Sequence, residues 1–94
     1  MLVMAKAVNI RKEKCDVYCG RGSKYGNPYV IGEDGNRDNV ISLYRNWLWN
    51  EIQTRRITIK ELQSLNGKKL GCYCKPKPCH CDVIVRAIKW SLTQ

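Results

Sequence analysis

Four of the six cysteines lie between positions 72 and 81, in Cys72-Tyr-Cys74-Lys-Pro-Lys-Pro-Cys79-His80-Cys81. The same stretch holds the single histidine and two of the three prolines. No other segment limits the fold as much. Proline cannot donate to a strand ladder, so Lys-Pro-Lys-Pro78 must interrupt any strand that reaches Cys74. The chain is forced into a loop there and returns as a new element. Thiolates and imidazole are preferred zinc ligands, and they also make a common nucleophile and base pair.

The rest of the chain predicts what surrounds that loop. Residues 3–10 read as a first strand. Asp16-Val-Tyr-Cys-Gly20 reads as a second, running straight into the turn-rich Arg21-Gly-Ser-Lys-Tyr-Gly-Asn-Pro28. Tyr29-Val-Ile31 is a brief extended piece, and Gly32 to Asn36 a turn. Asp38 to Gln53 is the clearest helix, with Asn36 or Asp38 as its cap. Val40, Ile41, Leu43, Tyr44, Trp47, Leu48 and Ile52 share one broad apolar face of it. Glu51 falls within that face. Trp49 falls opposite, where it suits either contact with a partner or cover for a second small cluster. Thr58-Ile-Lys-Glu61 matches a capping box and opens a short helix over 59–65, ended by Asn66-Gly67. Residues 69–74 read as a buried strand. A last helix starts near 78–81 and runs to about Leu92, with Arg86 and Lys89 as its clear polar stripe.

This order predicts an α/β fold. It is one small domain over residues 1–94, with about three strands, partly parallel, two main helices and one short helix. In open α/β sheets ligands bind beyond the carboxyl ends of strands. Arg21–Pro28 follows one strand and Lys75–Cys81 another, so the two loops are expected to meet at one pocket.

Charge points to what such a pocket would take. Seventeen Lys and Arg face eight Asp and Glu, a formal charge of +9. A surplus this large in a small domain favours an anionic partner, a nucleotide or nucleic acid, although spread charge also serves solubility alone. No apolar run approaches membrane-spanning length, and the amino terminus lacks the layout of a signal peptide. A cytoplasmic protein with mostly reduced cysteines and no membrane partner is expected.

Three chemistries fit the cysteine-rich turn. Cys72, Cys74, Cys79 and Cys81 can surround one zinc ion, with His80 as a substitute for Cys81; such a site would help a thin core to fold. Iron–sulfur spacings match less well. Alternatively, Cys79 at a helix start becomes a nucleophile, its thiolate favoured by the helix dipole and by Lys75 and Lys77. His80 would then act as base or acid, and Asp82 would orient an imidazole or cap the helix. Neighbours on a helix do not face one another, so Cys79 and His80 are not expected to form a direct dyad. Plain burial is the third reading, and it suffices for Cys15 and Cys19. In the glycine loop, Arg21, Gly22, Ser23, Lys24, Gly26 and Asn27 offer cations, a hydroxyl and approachable backbone amides, which suits phosphate. It is not a Walker loop, since no Gly-Lys-Ser/Thr ends it.

The two segments together resemble a family of small phage and bacterial domains known as domain of unknown function 4326. The shared pattern is Gly-Arg-Gly-Ser-x-x-Gly-Asn-Pro, then Leu-x-Cys-x-Cys-x-x-x-x-Cys-His-x-Asp. Here it falls on Arg21, Gly22, Ser23, Gly26, Asn27, Pro28, Cys72, Cys74, Cys79, His80 and Asp82. Cys81 and Cys19 lie outside it, so the resemblance implies that a shared role would use Cys72, Cys74, Cys79 and His80. It carries no activity with it, but it implies a ligand or catalytic pocket. The expected function is binding of a phosphate-bearing ligand between loop 21–28 and residues 72–82. The alternative is a zinc-stabilised basic module that binds nucleic acid or a host protein.

Overall fold

Lys69-Leu-Gly-Cys72 is the central strand of the protein, and its alternation sets the layers. Leu70 and Cys72 point to one face of the sheet, where both are almost wholly buried. Lys69 and Gly71 point to the other. The computed structural model describes residues 5–73 and 77–94. In chain order its elements are β1 (Lys6–Asn9), β2 (Val17–Tyr18), α1 (Arg37–Gln53), α2 (Ile59–Ser64), β3 (Lys69–Cys72) and α3 (His80–Ser91). The sheet order is β1-β3-β2. Both pairings are parallel, with Ala7 opposite Leu70 and Val17 opposite Leu70 on the other side. The expected α/β fold is present, with a sheet parallel throughout the described residues.

β1 and β2 flank β3 yet are joined only by residues 10–16. That connection must cross a face of β3, and glycine at position 71 makes the crossing possible. A Cβ there would stand 2.5 Å from both Cys15 Sγ and Ile10 Cγ2. The crossing is then locked from both sides. Asp16 N–H donates to Lys69 O at 2.8 Å, and Lys69 N–H donates to the Asp16 carboxylate at 2.8 Å. Ile10 N–H donates to Cys72 O at 3.0 Å.

The helices supply the opposite layer. On α1, Val40, Tyr44, Leu48 and Ile52 recur every four residues and are all buried. Leu62 of α2 and Ile84 and Ile88 of α3 join the same core with Leu70 and Cys72. Asn36 is the α1 cap: its side chain accepts from Asn39 N–H at 2.9 Å, and Asn39 accepts from Asn36 N–H at 3.0 Å. Thr58 caps α2, accepting from Glu61 N–H at 3.1 Å. The Glu61 carboxylate goes elsewhere than a capping box requires. It accepts from the Tyr25 hydroxyl and, at 2.9 Å, from Lys24 Nζ, and so ties the glycine loop to α2. Tyr29–Ile31 joins no strand; Val30 N–H donates to the Asp34 carboxylate at 2.8 Å, which closes a turn instead. Glu51 reaches Arg56 at 3.7 Å. Among the described residues, no helix is long and apolar enough to cross a membrane.

Gly71→Ala tests the crossing. Overpacking of this kind costs roughly 1–3 kcal/mol, and chemical denaturation should show a loss of at least that size. Unchanged stability would mean that residues 10–16 do not press on β3.

Candidate functional site

Parallel pairing decides where the two motif loops go. β2 and β3 run the same way, so the chain leaves both strands at the same edge of the sheet. After Tyr18 it enters the glycine loop, and after Cys72 it heads for the start of α3. Between them is a cavity of about 200 Å³. Arg21, Asn27 and Tyr29 line it from the first loop, Cys72, Cys79 and His80 from the second, and Arg37 from the first turn of α1.

The glycine loop is built by its own polar atoms. Ser23 N–H and Oγ both donate to Gly20 O, at 3.1 and 2.6 Å. Gly22 has φ 86°, a conformation that favours glycine, so the turn requires it. Gly26 packs so closely that a Cβ would meet Gly20 O at 2.5 Å. Asn27 is buried; its amide donates to Val40 O at 3.2 Å and its oxygen accepts from Tyr29 N–H at 2.9 Å. Lys24 turns away to Glu61. Of the six residues expected to bind an anion, Arg21 and Asn27 therefore line the cavity, and Gly22, Ser23, Lys24 and Gly26 shape or anchor the loop. Arg21 is itself held in place, donating to Asn27 O at 3.0 Å and Tyr29 O at 3.1 Å. Arg37 donates to Pro78 O at 3.1 Å. A guanidinium carries five N–H donors, so both keep donors to spare. Among the described residues, no carboxylate pairs with either.

Cys79 is the amino-terminal cap of α3, in extended backbone with φ −146° and ψ 154°. Its sulfur accepts from Cys81 N–H at 3.5 Å, in the manner of a capping oxygen. Asp82 completes the cap: its carboxylate accepts from Cys79 N–H at 3.1 Å, and its own N–H donates to Cys79 O at 3.0 Å. The extended cap also corrects the expectation for Cys79 and His80. Cys79 lies outside the helical turn, so His80 Nδ1 comes within 3.7 Å of its sulfur. His80 Nε2–H donates to Cys19 O, and the ring meets the Tyr44 ring edge-on at 5.0 Å. A strand end, a helix and an aromatic ring thus fix the imidazole.

These contacts set the ionisation of the pair. The Cys81 thiol, then His80, the Cys81 amide and Cys72 donate toward Cys79; against the opposing effect of burial they hold its thiol down to about 3. Burial alone would lower His80, but its contacts with Cys79 and Cys19 O raise it on balance. The Cys81 thiol is pushed up, first by its hydrogen bonds to Cys19 and Cys79 and then by burial. The contacts favour the thiolate form of Cys79 and the protonated form of His80. Tyr44 is kept neutral chiefly by burial, and its hydroxyl donates to Tyr25 O at 2.7 Å.

The sulfurs of Cys72, Cys79 and Cys81 lie within 4.8 Å of one another, all buried. Sulfurs on one tetrahedral zinc, each at about 2.3 Å, would sit about 3.8 Å apart. These three cysteines could hold a metal ion. Cys74, the fourth expected ligand, lies outside the described residues, as do Lys75 and Pro76. Cys19 is buried as expected, and it also meets the Cys81 thiol, so the cluster extends beyond the 72–81 motif. Cys15 is half-buried over Gly71. Arg37 was not foreseen at the site. Its place depends on how α1 packs, and no local pattern marks it.

The comparisons with known proteins bear on the chain as a whole. The family model described as Domain of unknown function (DUF4326) matches residues 3–90. An Enterobacteria phage T4 protein, described as an uncharacterized 12.4 kDa protein in the nrdA-td intergenic region, is 39% identical over 85 residues, covering 90% of this chain and 78% of its own. No solved structure matches the chain. On these grounds the chain belongs to the domain of unknown function 4326 family, in agreement with the motif resemblance.

Proposed function

We propose that this protein binds a phosphate-bearing ligand, a nucleotide or a nucleic-acid end, in the cavity between residues 20–29 and 72–80. One observation carries the reading: two guanidinium groups that have no carboxylate partner among the described residues, Arg21 and Arg37, line a single small cavity. Each is pre-set by backbone carbonyls, so little side-chain freedom is lost when an anion arrives. Planar N–H forks suit phosphate oxygens. The net charge of +9 raises the encounter rate with any such ligand. In this reading Cys79 is the candidate nucleophile on the cavity wall and His80 the proton donor or acceptor beside it. Asp82 holds the helix start that presents both.

A second reading rests on the three buried sulfurs within 4.8 Å. It places zinc on Cys72, Cys79 and Cys81, with Cys74 as the remaining expected ligand. The domain then becomes a metal-stabilised basic module that binds nucleic acid or a host protein. The two readings make opposite claims about Cys79, since a zinc-bound thiolate is not a free nucleophile.

Arg37→Ala should lower affinity for pyrophosphate and nucleoside triphosphates about tenfold or more by calorimetry, with the melting temperature unchanged. Arg37→Lys, which keeps the charge but not the fork, should fall between. Equal affinity in all three proteins would contradict the phosphate reading.

Iodoacetamide provides the pH test. An ordinary thiol loses reactivity about tenfold per unit below its pKa near 8.5. Cys79, held to about 3, should keep a level rate as pH falls from 9 to 6, followed by mass mapping of that residue. A rate that falls with pH in the usual way would contradict the thiolate.

Elemental analysis separates the second reading from the first. One zinc per chain, lost together with cooperative melting in Cys72→Ser, is its expected result. Metal at background in folded protein would rule it out.

A further inference from the structure

The α1–α3 face carries a feature that the phosphate cavity does not use. A groove of about 340 Å³ runs between the two helices. Leu48 and Ile52 contribute to its apolar lining, and Trp49 and Trp90 stand beside it, their rings edge-to-face at 5.2 Å. Arg45 and Arg86 also line it, and among the described residues no carboxylate does. Trp49 remains 46% exposed. Cover for Trp90 explains why the rings touch, but it leaves nearly half of a large apolar side chain in water beside an open groove.

We propose that this groove is a docking site for an acidic amphipathic helix of a partner protein. Apolar side chains spaced by a helical turn would fill the groove between the tryptophans, as in other helix-in-groove contacts. Acidic residues along the edges of that helix would meet Arg45 and Arg86. The charge and the lining of the groove together select this occupant over two others. A second copy of the chain would bring the same two arginines against each other in a two-fold contact, and each copy carries +9. A nucleobase would set its polar edges against Leu48, Ile52, Val83 and Ala87, with Asn46 as the one amide in the lining. Tryptophan and arginine at the centre of a contact are also the residues that most often dominate protein–protein affinity.

The test uses the full chain and a displayed library of random short peptides. Selection on the wild-type protein, with counter-selection on Trp49→Ala, should enrich peptides with apolar residues at helical spacing and a net negative charge. Their affinity should fall about tenfold or more in Trp49→Ala, the size expected for truncating a central aromatic anchor. Arg86→Glu should weaken the same peptides and favour basic ones. Circular dichroism checks that both variants fold. Enriched peptides without acidic bias, or binding indifferent to both variants, would overturn the proposal. So would a single-stranded oligonucleotide that displaces the peptides from the groove. Sedimentation showing a dimer that Trp49→Ala dissolves would assign the groove to a second copy and also overturn it. Arg37→Ala should leave peptide binding unchanged, which keeps this outcome separate from that of the phosphate cavity.

Discussion

The parallel pairing of β2 with β3 is the constraint on which the rest depends. It is a short ladder, held by Asp16 N–H to Lys69 O and Cys19 N–H to Gly71 O, at 2.8 and 2.9 Å. Parallel strands end at the same edge of a sheet, so the two polar motifs emerge side by side. The pairing in turn depends on Gly71, because residues 10–16 must pass over β3 to place β2 beyond it. A single missing side chain thus links the topology to the cavity.

The site is fixed by bonds between elements rather than within them. His80 on α3 donates to Cys19 O after β2, Arg37 on α1 donates to Pro78 O before α3, and Glu61 on α2 holds Lys24 and Tyr25 of the glycine loop. Each contact spans distant parts of the chain. Such a site forms only when the whole fold does, which suits a small domain with a thin core. The thiols add a local device: a cysteine caps α3 where serine or aspartate is usual, and the amides and thiols around it favour its thiolate.

Much of the fold was legible because it is written in local chemistry. The apolar stripe from Val40 to Ile52 and the Asn36 and Thr58 caps each act within a few residues, and the helices and strands follow to within a residue or two at most boundaries. The meeting of the two loops was also foreseeable, since parallel strands impose it. What escaped was long-range. Nothing near Arg37 says that α1 delivers it to the cavity. Glu61 matches a capping box, yet partners on a distant loop outcompete the cap. The approach of His80 Nδ1 to Cys79 is hidden for a different reason: helical spacing does not hold at a cap that is still extended. The sequence allows Trp49 two roles, and it fills one while leaving room for the other. It covers Trp90, and it remains exposed.

The central claim is that one anion-binding cavity lies between the glycine loop and the start of α3. Nuclear magnetic resonance of labelled protein titrated with pyrophosphate tests it most directly, because it reads location rather than affinity. The side-chain N–H signals of Arg21 and Arg37, and the amides of Asn27, Tyr29, Cys79 and His80, should shift together and saturate with one ligand. Shifts scattered over the basic surface without saturation, or confined to residues away from this cavity, would contradict it.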